Sequence, residues 1–336
     1  MLLSFLRRPG EPPIVEGNLL FGNATEFSSH AVNFLRRCQS SLGDVFTIRL
    51  LNQYLTIIMD PHSYEAFCRN KNLDFDPIQR QVNWNVFSFI LKEPKVMIRN
   101  TGKTVAGLNL VKSLQSFTRN LDMSCKKFIE NEAFRRDSGP VGHDATNKAK
   151  GKREEEGLGV SQGLRLVVAR TIFAAIFDSI FGRPGVEEND SGFHAESTYR
   201  NFETFHKYFN YFWLGLPKWL FPEAMDSLRN LLQMPDTEQL LLREDLSAYI
   251  RVAIDCMIRQ GQTESDVKGH NLVYLHVNYN TFRLAFWALA HLLEDRVAYE
   301  ALETEISDLL VSSYNAESNT VRLTMADVND MPVLSK

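Results

Sequence analysis

Long runs of helical periodicity dominate this chain, and only one stretch carries the composition of a strand pair. From Asn109 to Phe134, Leu110, Leu114, Phe117, Leu121, Met123 and Phe128 recur at helical spacing, which predicts a long amphipathic helix. The same period over Glu26 to Leu42, closing at Gly43, and over Leu164 to Phe181, closing at Gly182, Arg183 and Pro184, predicts two more. Further helices are expected over 238–259, 270–293 and 296–310. Against these stands the segment from Asp44 to Met59, where Val45 to Ile48 and Tyr54 to Ile58 flank Asn52 and Gln53. That pattern predicts a hairpin, with Asp60 and Pro61 opening a short helix through Cys68. The expected fold is therefore mainly α with a small β-sheet.

Composition removes several function classes. Lysine and arginine number 37 against 41 acidic residues, a net charge of −4, so neither a basic nucleic-acid binder nor an acidic tail is indicated. Cys38, Cys68, Cys125 and Cys256 stand far apart without a Cys-x-x-Cys, and the eight histidines show no ligand spacing, so no protein-only metal site is expected. The longest apolar run, Leu284 to Ala290, falls well short of the ~20 residues that cross a bilayer. At the N-terminus, Met-Leu-Leu-Ser-Phe-Leu precedes Arg7 and Arg8, the reverse of a signal peptide. Residues 1–13 read either as the remnant of a membrane anchor with its Pro-rich hinge or as a disordered tail.

Residues 135–163 are poor in large apolar side chains and include Lys148, Lys150, Lys152, Arg153, Glu154, Glu155 and Glu156, which predicts a flexible insertion. Gly159-Val160-Ser161-Gln162-Gly163 matches a nucleophile elbow in letters only, because a charged stretch precedes it where a core strand is needed. The Asn-x-Ser/Thr sequons at Asn23 and Asn189 are short enough to arise by chance. Aromatics are the one skew, with 23 Phe, 10 Tyr and 4 Trp. They peak between Phe202 and Phe221, which suits a large core, an apolar ligand path or a membrane surface.

Several short motifs occur in a meaningful order. The Arg7 to Pro13 segment, Gly43-Asp44-Val45-Phe46-Thr47-Ile48, Gln53-Tyr54-Leu55-Thr56, Met59-Asp60-Pro61-His62-Ser63-Tyr64 and Leu73-Asp74-Phe75 resemble the N-terminal region of microsomal cytochromes P-450. The likeness is to the group containing prostacyclin synthase, sterol 12-alpha-hydroxylase and cholesterol 7-alpha-hydroxylase. Phe286-Trp287-Ala288-Leu289, then His291 to Asp295 and Glu303-x-Glu305, resemble that group's long central helix and the helix after it. Met331 to Ser335 resembles the segment ahead of the family's buried Glu-x-x-Arg helix.

The resemblance implies a cytochrome P-450 fold over residues 14–336 as a partial catalytic domain, incomplete at its C-terminus. It places Asn280 on the central helix's oxygen-facing side, at the subgroup's Asn; an ordinary polar residue on a helix is the other reading. Tyr279 and Phe282 occupy the subgroup's two Gly positions and Arg283 its Pro, so large rings are expected to crowd that space. By family position Trp213, Leu216, Trp219 and Phe221 line the substrate channel, and the stretch around Lys218 dips into the membrane; packing between helices is the alternative. The implied cofactor is haem, whose axial ligand is a Cys thiolate. None of the four cysteines has the family's Cys-loop context, and Glu132-Ala133-Phe134-Arg135 precedes the central helix, out of place for the family's Glu-x-x-Arg.

The implied activity is that of a haem-thiolate monooxygenase or isomerase acting on a sterol or eicosanoid-like lipid, with a P-450 reductase as partner in the monooxygenase case. The implied location is the cytosolic face of the endoplasmic reticulum membrane. The expectation is a truncated chain inactive by itself. Two alternatives stay open: a non-catalytic product that binds lipid or a partner, and an incompletely read gene.

Overall fold

The computed structural model describes residues 10–137, 163–184, 193–243, 245–315, 320–321 and 331. Helix α1 (Ala24–Leu42) packs on a hairpin formed by β1 (Val45–Leu50) and β2 (Gln53–Ile58). The strands are antiparallel, with Val45 opposite Ile58 and Leu50 opposite Gln53. The turn is Leu51-Asn52, one residue earlier than expected: Leu51 adopts φ of 55° and Gln53 joins the strand. A two-residue connection favours such positive φ because it matches the strand twist. Phe46, Ile48 and Leu50 meet Phe34 and Cys38 of α1 in a small core of their own.

The chain before α1 is tied to this hairpin. Val15 N–H donates to the Thr47 carbonyl at 2.8 Å, and Thr47 N–H donates to the Pro13 carbonyl at 2.7 Å. Asn23 is buried, donating through Nδ2 to the Glu16 carbonyl and accepting from Arg49 N–H through Oδ1. An amide spent on two backbone groups leaves the first sequon unsuited to a glycan in the folded chain. Asn189 lies outside the described residues, as do residues 138–162 of the expected insertion and Ser161 of the elbow-like sequence.

Asp60 caps as expected, accepting from His62 N–H at 2.9 Å above a single 3-10 turn that runs into α2 (Tyr64–Arg69). Helices α3 (Asp76–Asn85) and α4 (Pro94–Gly102) have no counterpart in the periodicity reading, although each carries Pro in its first turn. Helix α5 (Gly107–Asp137) reaches past the expected Phe134, so the helical pattern ends later than position 135. Next comes α6, a helix over 163–181 that widens into a π-turn at Ala169–Phe173 and resumes as Ala174–Phe181. The remaining helices are α7 (Ala195–His206), α8 (Phe209–Trp213), α9 (Pro222–Leu231), α10 (Thr237–Leu242), α11 (Ala248–Arg259), α12 (Glu264–Glu294) and α13 (Arg296–Ser313). A two-residue ladder, Tyr314–Asn315 with Thr320–Val321, follows.

The single helix expected over 238–259 is in fact two, α10 and α11. Arg243 is buried between them and donates through Nη1 to the Phe181 and Gly182 carbonyls, both at 3.1 Å. Capping the end of α6 in this way takes the chain out of helical register, and Ser247 restarts it by accepting from Ile250 N–H. The central helix α12 begins at Glu264, not His270, because Thr263 and Asp266 form a reciprocal capping box.

One contiguous core joins α3, α4, α6, α7, α9, α11 and α12, with Phe173, Phe177, Phe181, Phe202, Phe205 and Phe212 among its buried rings. Gly182 ends α6 with φ of 68°, and a Cβ built there would lie 2.9 Å from the Leu246 backbone nitrogen. Gly182→Ala is therefore expected to cost about 2 kcal/mol or more from backbone strain plus the clash, read as a lower urea midpoint with unchanged slope.

Candidate functional site

The described residues bring the aromatic maximum and the central helix together. Tyr279 and Phe282 of α12 are both 2% exposed and lie with ring centroids 5.3 Å apart. Phe282 meets Phe173 of the π-turn at 5.8 Å and Tyr199 of α7 at 5.5 Å, both edge-on. Tyr279 meets Phe202 at 4.9 Å and His206 at 5.0 Å. Edge and tilted contacts of this kind satisfy the ring quadrupoles. The expected crowding is thus a filled aromatic wall on one face of α12.

Two histidines that are distant in sequence are neighbours in this wall. His276 of α12 stacks on Phe209 at 4.3 Å with 6° between planes, and His206 lies 5.4 Å from His276. Burial holds both imidazoles down at about 4; Arg283 adds to the effect on His206, and His206 adds to that on His276. Buried His270, one helical turn and a half earlier, is likewise held at about 4, and it lies flat against Tyr249 at 6.1 Å. His270 Nδ1 and His276 Nδ1 have no hydrogen-bond partner among the described residues. At neutral pH all three are uncharged rings. The lack of histidine spacing in the sequence concealed the pairing, since α7 and α12 meet only through packing.

Asn280 is exposed on α12, next to the buried Tyr279. The four channel residues separate into two kinds. Trp213 and Phe221 are half-buried against the main core, Phe221 stacking on Tyr211 at 5.4 Å. Leu216 is also half-buried, whereas Trp219 is 74% exposed with Leu220 beside it at 47%. Among the described residues a small cavity of about 140 Å³ lies between α7 and α9, lined by polar Ser197, Thr198, Asn201, Asn230 and Gln233. None of the sequence-predicted site residues lines it.

The roof segment that follows α8 is fastened from below. The Trp213 carbonyl is approached by Gln53 Nε2 and Gln81 Nε2, both at 3.3 Å, and by Asn85 Nδ2 at 3.4 Å. Lys218 Nζ donates to Ser88 Oγ, and burial lowers its ammonium to about 8. Apart from Gln53, which lies in the Gln53-Tyr54-Leu55-Thr56 motif, these polar residues belonged to no motif in the sequence.

This helical architecture, with its small hairpin and long central helix, resembles a solved structure titled retinoic acid-bound cyanobacterial CYP120A1. The TM-score is 0.55 over 96% of this chain and 67% of that chain, at 15% identity, a likeness of fold. The cytochrome P450 family model matches residues 12–336, and the chain belongs to that family. Cytochrome P450 7A1 of Oryctolagus cuniculus is 24% identical over 98% of this chain and 63% of its own length. The 5-beta-cholestane-3-alpha,7-alpha-diol 12-alpha-hydroxylase of Sus scrofa is 26% identical over 98% of this chain and 62% of its own length. Prostacyclin synthase of Rattus norvegicus is 42% identical over 74 residues, 21% of this chain and 15% of that protein. The chain thus spans less than two thirds of the length of the two sterol enzymes.

Membership implies haem, and the described residues do not fit it. Cys38 lies under the hairpin and Cys68 on the exposed face of α2. Cys125 is half-buried on α5, and Cys256 is buried against Gln260 Nε2 at 3.2 Å. Burial pushes the Cys38 and Cys125 thiols up, away from the thiolate form that ligates iron. No group of three potential metal ligands converges among the described residues, and the rings of Tyr279 and Phe282 occupy one face of the central helix.

Proposed function

We propose that this chain is the lipid-handling part of an oxidoreductase that acts on a sterol or eicosanoid-like substrate, by monooxygenation or isomerisation. The observation that carries the reading is the likeness to sterol hydroxylases over 98% of this chain, joined to an aromatic wall and roof built from α7, α8 and α12. In this reading apolar rings bind and orient the lipid, and Trp213, Leu216 and Phe221 line its path. Asn280 belongs to the same assignment as the amide on the oxygen-facing side. A reductase is the implied redox partner of a monooxygenase. The exposed Trp219 and Leu220 support contact with a membrane surface, with the cytosolic face of the endoplasmic reticulum as the proposed location. No helix among the described residues is long and apolar enough to cross a membrane. A second reading, a non-catalytic lipid binder, is favoured by the aromatic filling at Tyr279 and Phe282.

Titration of the full chain with cholesterol, followed by tryptophan fluorescence, should give saturable quenching. Absence of any saturable change with cholesterol or arachidonate defeats the lipid reading. In flotation with phosphatidylcholine vesicles, the double change Trp219→Ala and Leu220→Ala is expected to weaken association by roughly tenfold through lost apolar insertion. Unchanged flotation would remove the membrane contact.

A further inference from the structure

The three amides around the Trp213 carbonyl are more than that oxygen can use. A carbonyl oxygen has two lone pairs and takes hydrogen bonds best near about 2.9 Å. Here three NH2 groups sit at 3.3 to 3.4 Å, so each is shared and long. The orientation of the amides is dictated by chemistry, because only the NH2 end can face a carbonyl oxygen. They come from two different elements, Gln53 on β2 and Gln81 with Asn85 on α3, and all converge on the last residue of α8, where the 213–218 segment begins. Five residues further along that segment, Lys218 reaches back to Ser88, three residues beyond Asn85. Ser88 is exposed and holds φ of 61°, a backbone conformation unusual for a residue with a side chain.

The seam between α3 and the 213–218 segment is therefore rich in donors and carries one cation. Gln53, Gln81, Asn85 and Lys218 are each only partly buried, so a ligand can reach them from the outside. Exposed apolar side chains flank it on the same two segments: Trp84 at 59% on α3, and Trp219 and Leu220 on the roof. A carboxylate presents two oxygens and about four acceptor sites, which matches surplus NH2 groups, with an ammonium anchored at Ser88 three residues beyond Asn85, far better than one carbonyl does.

We propose that this seam is a seat for the ionised head of a carboxylate-terminated lipid of the fatty-acid type, with Gln81, Asn85, Gln53 and Lys218 as donors and the neighbouring Trp84, Trp219 and Leu220 receiving the chain. The seat rests on the lipid-binding reading above and narrows it to anionic lipids. Loss of one donor leaves the apolar contacts in place, so the head group and the chain are separable in experiment.

Dodecanoate and dodecanol, which share a chain and differ in the head, are titrated into the full-length chain at pH 7 with tryptophan fluorescence as readout. Dodecanoate is expected to bind about tenfold more tightly than dodecanol, as a charge-assisted hydrogen-bonded head allows. Asn85→Ala and Lys218→Gln should each erase most of that preference and leave dodecanol affinity unchanged, while Lys218→Arg retains it. Far-UV circular dichroism confirms that each variant is folded, and the dodecanol affinity serves as an internal control. Equal affinity of the two probes for the unaltered chain, or a preference that survives both substitutions, overturns the seat and leaves the lipid reading standing. Failure of both probes to bind also overturns the seat, while the cholesterol and arachidonate titration decides the lipid reading separately.

Discussion

Phe282→Ala is expected to lower the stability of this protein by about 3–5 kcal/mol, the range for removing a fully packed aromatic ring from a core. The ring is 2% exposed and touches Phe173 and Tyr279, both buried, and the partly buried Tyr199. Such neighbours cannot collapse into the gap without leaving their rotamers, so the cavity term adds to the lost transfer energy. The companion change Asn280→Ala, two positions earlier and exposed on the same helix, should stay within about 0.5 kcal/mol. Urea unfolding of the two variants beside the parent checks both. The cavity opened by Phe282→Ala should also take up benzene, seen as a raised urea midpoint in its presence. A loss under 1 kcal/mol at Phe282 would mean that the wall does not pack as described.

Acid is the second strong lever. An imidazole held at about 4 in the folded chain, against about 6.5 when unfolded, takes up its proton mainly on unfolding. Its stabilising contribution is therefore complete above about pH 6.5 and is lost progressively as pH falls through 4. Fully buried His270 accounts for about 3 kcal/mol of this loss, and His206 and His276, less buried, for about 1–2 kcal/mol each. Asp178 works in the opposite direction. Burial raises its carboxyl to about 6, so it favours the folded state at low pH and offsets about 2–3 kcal/mol. The expected balance is a net loss of about 3 kcal/mol between pH 6.5 and 4, measured from urea midpoints across that range. His276→Phe preserves the stack on Phe209 and removes one titrating group, so its stability should fall less steeply with acid. Parallel curves for the parent and this variant would contradict a buried neutral imidazole at position 276.

Local rules made much of the architecture legible. The helices α1, α5, α6 and α13 were visible as apolar periods, and in α1 and α6 a recognisable stop, Gly43 or Gly182, makes pattern and punctuation coincide. The hairpin announced itself through β-branched residues on either side of a short polar break, with only its turn misplaced by one residue. Helices α3 and α4 were missed because they are short, 10 and 9 residues, which gives an apolar period few turns in which to repeat. The split between α10 and α11 was hidden for another reason: the interruption comes from Arg243 bonding to carbonyls some sixty positions earlier in the chain.

The candidate site divides along the same line. Aromatic content between Phe202 and Phe221 was plain in the sequence, as was the replacement of small residues at Tyr279 and Phe282. Which of those rings would be buried was not, because Trp213 and Trp219 are equivalent as letters and differ only in which elements surround them. The stacked His206 and His276, and the amides gathered on the Trp213 carbonyl, likewise arise where separate elements meet.

By itself, then, the sequence determined the mainly helical class, the hairpin, the family and the mismatch of its four cysteines with an iron thiolate, since all of these depend on short-range period, capping or motif order. Tertiary structure alone decided that the space beside the central helix is closed by rings, that His206 and His276 are neutral within it and His270 neutral against Tyr249, and that surplus donors line the roof. Those properties come from desolvation and side-chain packing between distant segments, quantities that no local pattern encodes.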